Sequence, residues 1–146
     1  LKIITEEGRY LDSDTVSARD WFKKILKGNS MENSRKFAEF IAGVLDDKQG
    51  RDIVIMDIAE KSSFADYFVI ATGSSERLIN ALAEYVEDKS AAHGRFVRSI
   101  EGRNGTGWVL MDYGDVVVNV FSEENRQKYN LEKIWSDCEI INWEAE

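Results

Sequence analysis

From residue 31 onward the apolar positions fall into blocks of two different periods. Phe37, Phe40, Ile41, Val44 and Leu45 stand at i, i+3, i+4, i+7 and i+8, with Arg35, Lys36, Glu39, Asp46 and Asp47 on the other side. That is one apolar stripe on a helix over residues 31–48, closed by Gln49-Gly50. The period then changes. Asp52–Ile58 and Tyr67–Ala71 are short, continuous apolar runs rich in β-branched residues, the pattern of strands buried on both faces. Thr72-Gly73-Ser74-Ser75 leads into a second helix over about Ser75–Ala92. Ser75 is its N-cap, Leu78, Ile79, Leu82, Ala83 and Val86 form its buried face, and Gly94 stops it. Phe96–Ile100 predicts a strand. Trp108–Met111 and Val116–Phe121 predict a hairpin around Tyr113-Gly114, entered from the Gly- and Asn-rich turn Gly102–Gly107. Ser122-Glu123-Glu124 opens a last helix with acid where the helix dipole favours it, and that helix carries Tyr129, Leu131, Ile134 and Trp135. Cys138–Trp143 is a final short strand. The order α-β-β-α-β-β-β-α-β predicts an α/β fold, a mixed sheet flanked by helices.

Residues 1–30 do not share this pattern and read as an appendage. Gly8 and the polar stretch Asp12–Thr15 suggest a turn. Val16, Trp21, Phe22, Ile25 and Leu26 then suggest one short amphipathic helix, with Trp21/Ile25 and Phe22/Leu26 each at i,i+4. Gly28-Asn29-Ser30 punctuates the chain, and Met31 follows, where an independent protein can begin. The sequence opens at Leu1, which points to a fragment or a processed product. The expected organisation is therefore an appendage over 1–30, the tail of a fused upstream domain, and a main domain over 31–146.

Composition narrows the function. With 146 residues the chain is long enough for one core. No apolar run approaches the roughly 20 residues of a membrane helix. A lone Cys138 and a lone His93 exclude a disulfide framework and a Cys/His zinc site, and a reducing compartment, the cytoplasm, is the simplest setting. Net charge is −8 and uneven: residues 1–30 sum to +1 and residues 31–146 to −9. The longest basic cluster is Lys23-Lys24, so DNA or RNA binding through phosphates is not the expected main activity. An acidic protein is instead steered toward basic proteins.

The residues that can carry chemistry do not add up to a catalytic set. The turn Thr72–Arg77 places backbone N–H groups at a helix N-terminus, where a phosphate can sit. Nucleotidyltransferases pair such a turn with magnesium-holding carboxylates, and Asp112 and Asp115 are the ones available. They stand three apart across a turn rather than alternating on one strand, and the turn has neither Walker nor dinucleotide spacing. Asp57 and Asp66, near strand ends, are a second carboxylate pair, with backbone capping the simpler role for Asp66. His93 ends a helix, and Cys138 lies between Asp137 and Glu139, which disfavour its thiolate. Trp135 at helical spacing from Leu131 belongs to the core. Trp108, after a Gly-rich turn, is a candidate interface anchor. Arg126 and Tyr129 share a helix face. The expected partner-binding patch is Trp108, Asp115, Arg126 and Tyr129.

Residues 62–73 (SSFADYFVIATG), 108–121 (WVLMDYGDVVVNVF) and 126–135 (RQKYNLEKIW) resemble, in this order, the ribosomal silencing factor or Iojap family, over about Met31 to Asn142. Asn119 stands where that family often has His. The resemblance implies a nucleotidyltransferase-like α/β fold that is catalytically inactive and holds no cofactor. It implies binding to the large ribosomal subunit through large-subunit protein fourteen, steric blocking of small-subunit joining, and lower translation in starvation or stationary phase. It also implies a homodimer in isolation. The alternative is a nucleotidyltransferase-type enzyme using Gly73 and Ser74 with Asp112 and Asp115. Outside this span, GRYLDSDTVSARDW (8–21) resembles the C-terminal end of an HD-type dinucleotide-tetraphosphate hydrolase.

Overall fold

The computed structural model describes residues 2–4, 10–12, 18–103 and 105–143, with side chains from residue 33 onward. Contacts divide the chain into two units, Leu1–Asn33 and Ser34–Glu146. In the first, β1 (Lys2–Ile4) pairs antiparallel with β2 (Tyr10–Asp12), Lys2 opposite Asp12. The sequence pattern did not predict this hairpin. The faces expected for Trp21, Phe22 and Leu26 lie outside the described side chains.

Helix α1 (Ala18–Asp47) runs straight through Gly28-Asn29-Ser30, where a break was expected. A glycine inside a helix costs only about 1 kcal/mol relative to alanine, and the strong stripe from Phe37 to Leu45 outweighs it. Beyond α1, the second unit is a six-stranded sheet ordered β5-β6-β7-β4-β3-β8. Its strands are β3 (Arg51–Asp57), β4 (Tyr67–Thr72), β5 (Ser99–Glu101), β6 (Trp108–Asp112), β7 (Val116–Phe121) and β8 (Glu139–Asn142). Among the described residues only the central β4–β7 pair is parallel, with Tyr67 beside Val116 and Thr72 beside Phe121. Strands β4 and β7 are buried along their whole length, as their unbroken apolar runs require. Strand β5 begins later than expected because Phe96 stands out in solvent, 73% exposed.

Alternation sorts the strand side chains between two cores. On one face Ile53, Ile55, Val69, Val109, Met111, Val118 and Val120 meet α1 and α2 (Glu76–Ala92). Ser75 caps α2 as expected, its Oγ accepting from the Leu78 N–H at 3.1 Å. Tyr113 joins this core and its hydroxyl meets the Ser90 Oγ of α2 at 2.6 Å. Because that Oγ reaches the Glu87 carbonyl, the phenol donates to it. On the other face Met56, Phe68, Ile70, Val117 and Phe121 are packed with Trp108, Leu110, Leu131 and Trp135. The single last helix expected from the sequence is two: α3 (Glu123–Tyr129) and α4 (Leu131–Ile134). Asn130 separates them in the left-handed region at φ 42°, a conformation that asparagine tolerates better than most residues.

Candidate functional site

Three aromatic rings form a ledge where β6 begins and β7 ends. Trp108 and Phe121 are register partners, and their rings stack at 4.9 Å. Tyr129 of α3 closes a triangle of rings, 4.8 Å from Trp108 and 6.3 Å from Phe121. Phe121 is buried, Trp108 half-buried, and Tyr129 41% exposed, so the ledge rises from core to solvent. The indole N–H of Trp108 donates to Asn119 Oδ1 at 3.0 Å, which fixes the ring from below. Asn119 is 1% exposed, and its Nδ2 has no partner among the described residues. The Gly-rich turn is tied to α3: Asn125 Nδ2 donates to the Thr106 carbonyl, and the Ser122 N–H donates to that of Gly107. At Gly107, φ is 72° and a Cβ would lie 2.5 Å from Asn125 Nδ2, so only glycine delivers the chain to Trp108 this closely. A cleft of about 260 Å³ beside the ledge is lined by Glu101, Gly102, Thr106, Trp108, Leu110 and Tyr129.

Of the four residues expected in one patch, the fold brings Trp108, Arg126 and Tyr129 to the same end of the sheet. Arg126 is not a rim charge, however. Its guanidinium donates to Thr72 Oγ1 at 3.0 Å and to Glu132 at 2.9 Å, with the side chain 12% exposed. It is a strut joining the end of β4 to α3 and α4. Asp115 is excluded from the patch. It precedes Val116, whereas Trp108 sits opposite Phe121, so about six residues at roughly 3.3 Å each, some 20 Å, separate them along the sheet. There Asp115 accepts from Ser34 Oγ at 2.6 Å and pairs with Arg95, whose guanidinium lies 4.0 Å above the Phe37 ring.

The same register dismantles the nucleotidyltransferase constellation. Gly73-Ser74 follows Thr72 at the Phe121 end, while Asp112 and Asp115 flank the turn at the other. Asp112 accepts the Gly114 N–H at 2.7 Å, a local turn contact. Gly73 has a packing reason to be glycine, since a Cβ there would lie 2.7 Å from Ile79 Cγ1. Asp57 and Asp66 share a sheet end, but Asp57 accepts from the Ala59 N–H and Asp66 from Ser34 Oγ. His93 caps α2 and packs edge-on against Phe40. Burial and the neighbouring Asp137 push the Cys138 thiol above its ordinary range.

Residues 31–146 match the family described as "Ribosomal silencing factor during starvation". The chain belongs to the ribosomal silencing factor family. A ribosomal silencing factor of Bacillus subtilis is 39% identical over 110 residues, covering 75% of this chain and 93% of that one. A mouse protein named for mitochondrial assembly of the ribosomal large subunit is 28% identical over 67% of this chain and 44% of its own length. The fold agrees: a crystal structure of a Chromobacterium violaceum protein superposes with a TM-score of 0.68 at 30% identity, over 77% of this chain and 89% of that one. Its bacterial relatives thus carry a regulatory name rather than an enzymatic one. No helix among the described residues is long and apolar enough to cross a membrane.

Within this family fold, a second aromatic group escaped the sequence reading. Phe64 packs against Phe68 and Trp135 yet is 60% exposed, and Ile134, the chain neighbour of Trp135, is 66% exposed. The available signal was a lone phenylalanine in the polar stretch Lys61–Asp66.

Proposed function

We propose that this protein binds the large ribosomal subunit through large-subunit protein fourteen and sterically blocks joining of the small subunit, lowering translation during starvation or stationary phase. The observation that carries the reading is the ledge of Trp108 and Tyr129: a half-exposed tryptophan in a cluster of three mutually contacting rings, fixed by Asn119. Such an aromatic, presented without the cost of ordering it on contact, is what anchors protein interfaces. The −9 balance of residues 31–146 adds attraction toward a basic ribosomal protein. Family membership and the name of the mouse relative support the large subunit as target. The protein acts in the cytoplasm, without cofactor or catalysis, and pairs as a homodimer when free.

Co-sedimentation with separated subunits tests this. The protein should travel with large subunits and not with small ones, and excess small subunits should displace it, since the two exclude each other. Trp108→Ala should keep its circular dichroism spectrum and lose about 2 kcal/mol of binding, about 30-fold. Unchanged binding by a folded variant, or tight binding to joined ribosomes without dissociating them, would sink the reading.

A further inference from the structure

Cations scattered in the sequence converge on the outer seam of α1 and α2. The two helices run antiparallel: Phe40 meets His93 at 4.7 Å, and two turns further along α1 the ammonium of Lys48 lies 4.6 Å over the Tyr85 ring. Lys89 approaches the same ring at 5.4 Å. The chain then turns at Gly94, with φ 80°, and presents Phe96, at 73% the most exposed large apolar side chain among the described residues. Arg98 follows, its guanidinium against Gly114. Lys48, Lys89 and Arg98 are all exposed, and none is within ion-pair distance of a carboxylate among the described residues; the exposed His93 ring lies between them in the sequence. The nearby Arg95 is engaged by Asp115. The acids Glu84, Glu87 and Asp88 of α2 line a different cleft, with Arg103. A protein with 27 carboxylates thus leaves these cations without acid partners beside aromatic rings, as it also leaves Lys128 over Tyr129.

We propose that this strip, Lys48, Tyr85, Lys89, His93, Phe96 and Arg98, contacts ribosomal RNA once the protein is docked; the proposal rests on the large-subunit reading above. Cations without acid partners are matched by phosphates, and a projecting ring at the end of the strip is matched by an unstacked base. A protein-anchoring ring would instead sit amid an apolar surround, as Trp108 does; Phe96 makes no ring contact with another aromatic among the described residues and is 73% exposed. The net charge of −8 makes the strip's hold on free RNA weak, detectable only at low salt, so docking is what brings it to RNA. The strip and the Trp108 ledge belong to opposite layers of the sheet, so a ribosomal protein on the ledge leaves the strip open to neighbouring RNA.

The test uses the full chain with purified large subunits. Lys89→Glu/Arg98→Glu should weaken co-sedimentation about tenfold, and should make the slope of log affinity against log salt shallower by about 2. Phe96→Ala should weaken it about tenfold, in the range of one lost base stack. All three positions are exposed, so circular dichroism should be unchanged. A photo-crosslinking amino acid at position 96 should give an RNA adduct on the large subunit. Wild-type affinity and salt slope in these variants, or an adduct with a ribosomal protein alone, would overturn the proposal. If the wild-type chain does not sediment with large subunits, the reading above fails by itself. Anisotropy with a fluorescent single-stranded RNA at 50 mM salt then decides the strip: weak binding lost in Phe96→Ala sustains it, and no binding overturns it.

Discussion

Asn119 is satisfied on one side only: Oδ1 takes the Trp108 N–H while the buried Nδ2 has no partner among the described residues. An orphaned buried donor costs about 1–3 kcal/mol; an apolar group of similar size removes the Nδ2 orphan but leaves the Trp108 N–H without its acceptor, and the two effects largely offset. Asn119→Leu should therefore keep its denaturation midpoint within about 1 kcal/mol, while large-subunit binding falls several-fold because Trp108 is no longer oriented. Equal binding by this variant would show that the hydrogen bond does not position the ring. Tyr113 has the opposite character, with its hydroxyl donating to Ser90 inside the core. Burial raises its phenol above the ordinary value near 10. A raised folded-state value means that the folded protein holds the proton longer than the unfolded chain. Stability is then complete below about pH 10 and lost as pH climbs through the folded value. Urea unfolding of Tyr113→Phe should show a loss of about 1 kcal/mol at pH 7 and a narrower gap from wild type at pH 10.5. Burial raises Tyr67 as well, so part of the alkaline slope remains.

At the scale of elements, the α2 start turns on Gly73. A methyl group there meets Ile79, which is fully buried, so Gly73→Ala should overpack the strand–helix junction and cost about 1–3 kcal/mol in chemical denaturation. A cost near zero would mean that Ile79 has room to move. Periodicity located the buried strands and α2 because each has one uninterrupted pattern. It missed the continuity of α1, because a Gly-Asn-Ser break is a tendency that helix formers on either side override. It missed the α3–α4 break, because Asn130 sits in an ordinary helical spacing and its left-handed φ leaves no mark in the apolar pattern. The site was legible in part. The grouping of Trp108 with Tyr129 was legible from an aromatic after a turn and from i,i+3 spacing, and the two rings do lie together. Asp115 was misplaced although a hairpin's logic forbids it: the first residues of two antiparallel strands lie at opposite ends. The cation strip was invisible because its members come from two helices and a loop, and no local window collects them.

At the scale of the whole molecule, truncation tests the appendage. If residues 1–30 are the tail of a hydrolase, a chain beginning at Met31 should keep its melting temperature and its ribosome binding; a drop of several degrees would assign Trp21, Phe22 and Leu26 to the core. The parallel β4–β7 seam has a different consequence, felt before the protein exists complete. Tyr67 and Val116 are 49 residues apart, whereas Asp57 and Tyr67, or Asp112 and Val117, close over short turns. Growing a loop from 10 to 49 residues adds about 1.4 kcal/mol of closure entropy. During synthesis from the N-terminus, β3 and β4 can pair early, but the other edge of β4 stays bare until Phe121 has been added. That edge is YFVIAT, wholly apolar but for its ends. Nascent or prematurely ended chains stopping before Val116 therefore carry an unpaired apolar edge strand, the form most prone to aggregate, and depend on chaperones or proteases in a way that the finished protein does not.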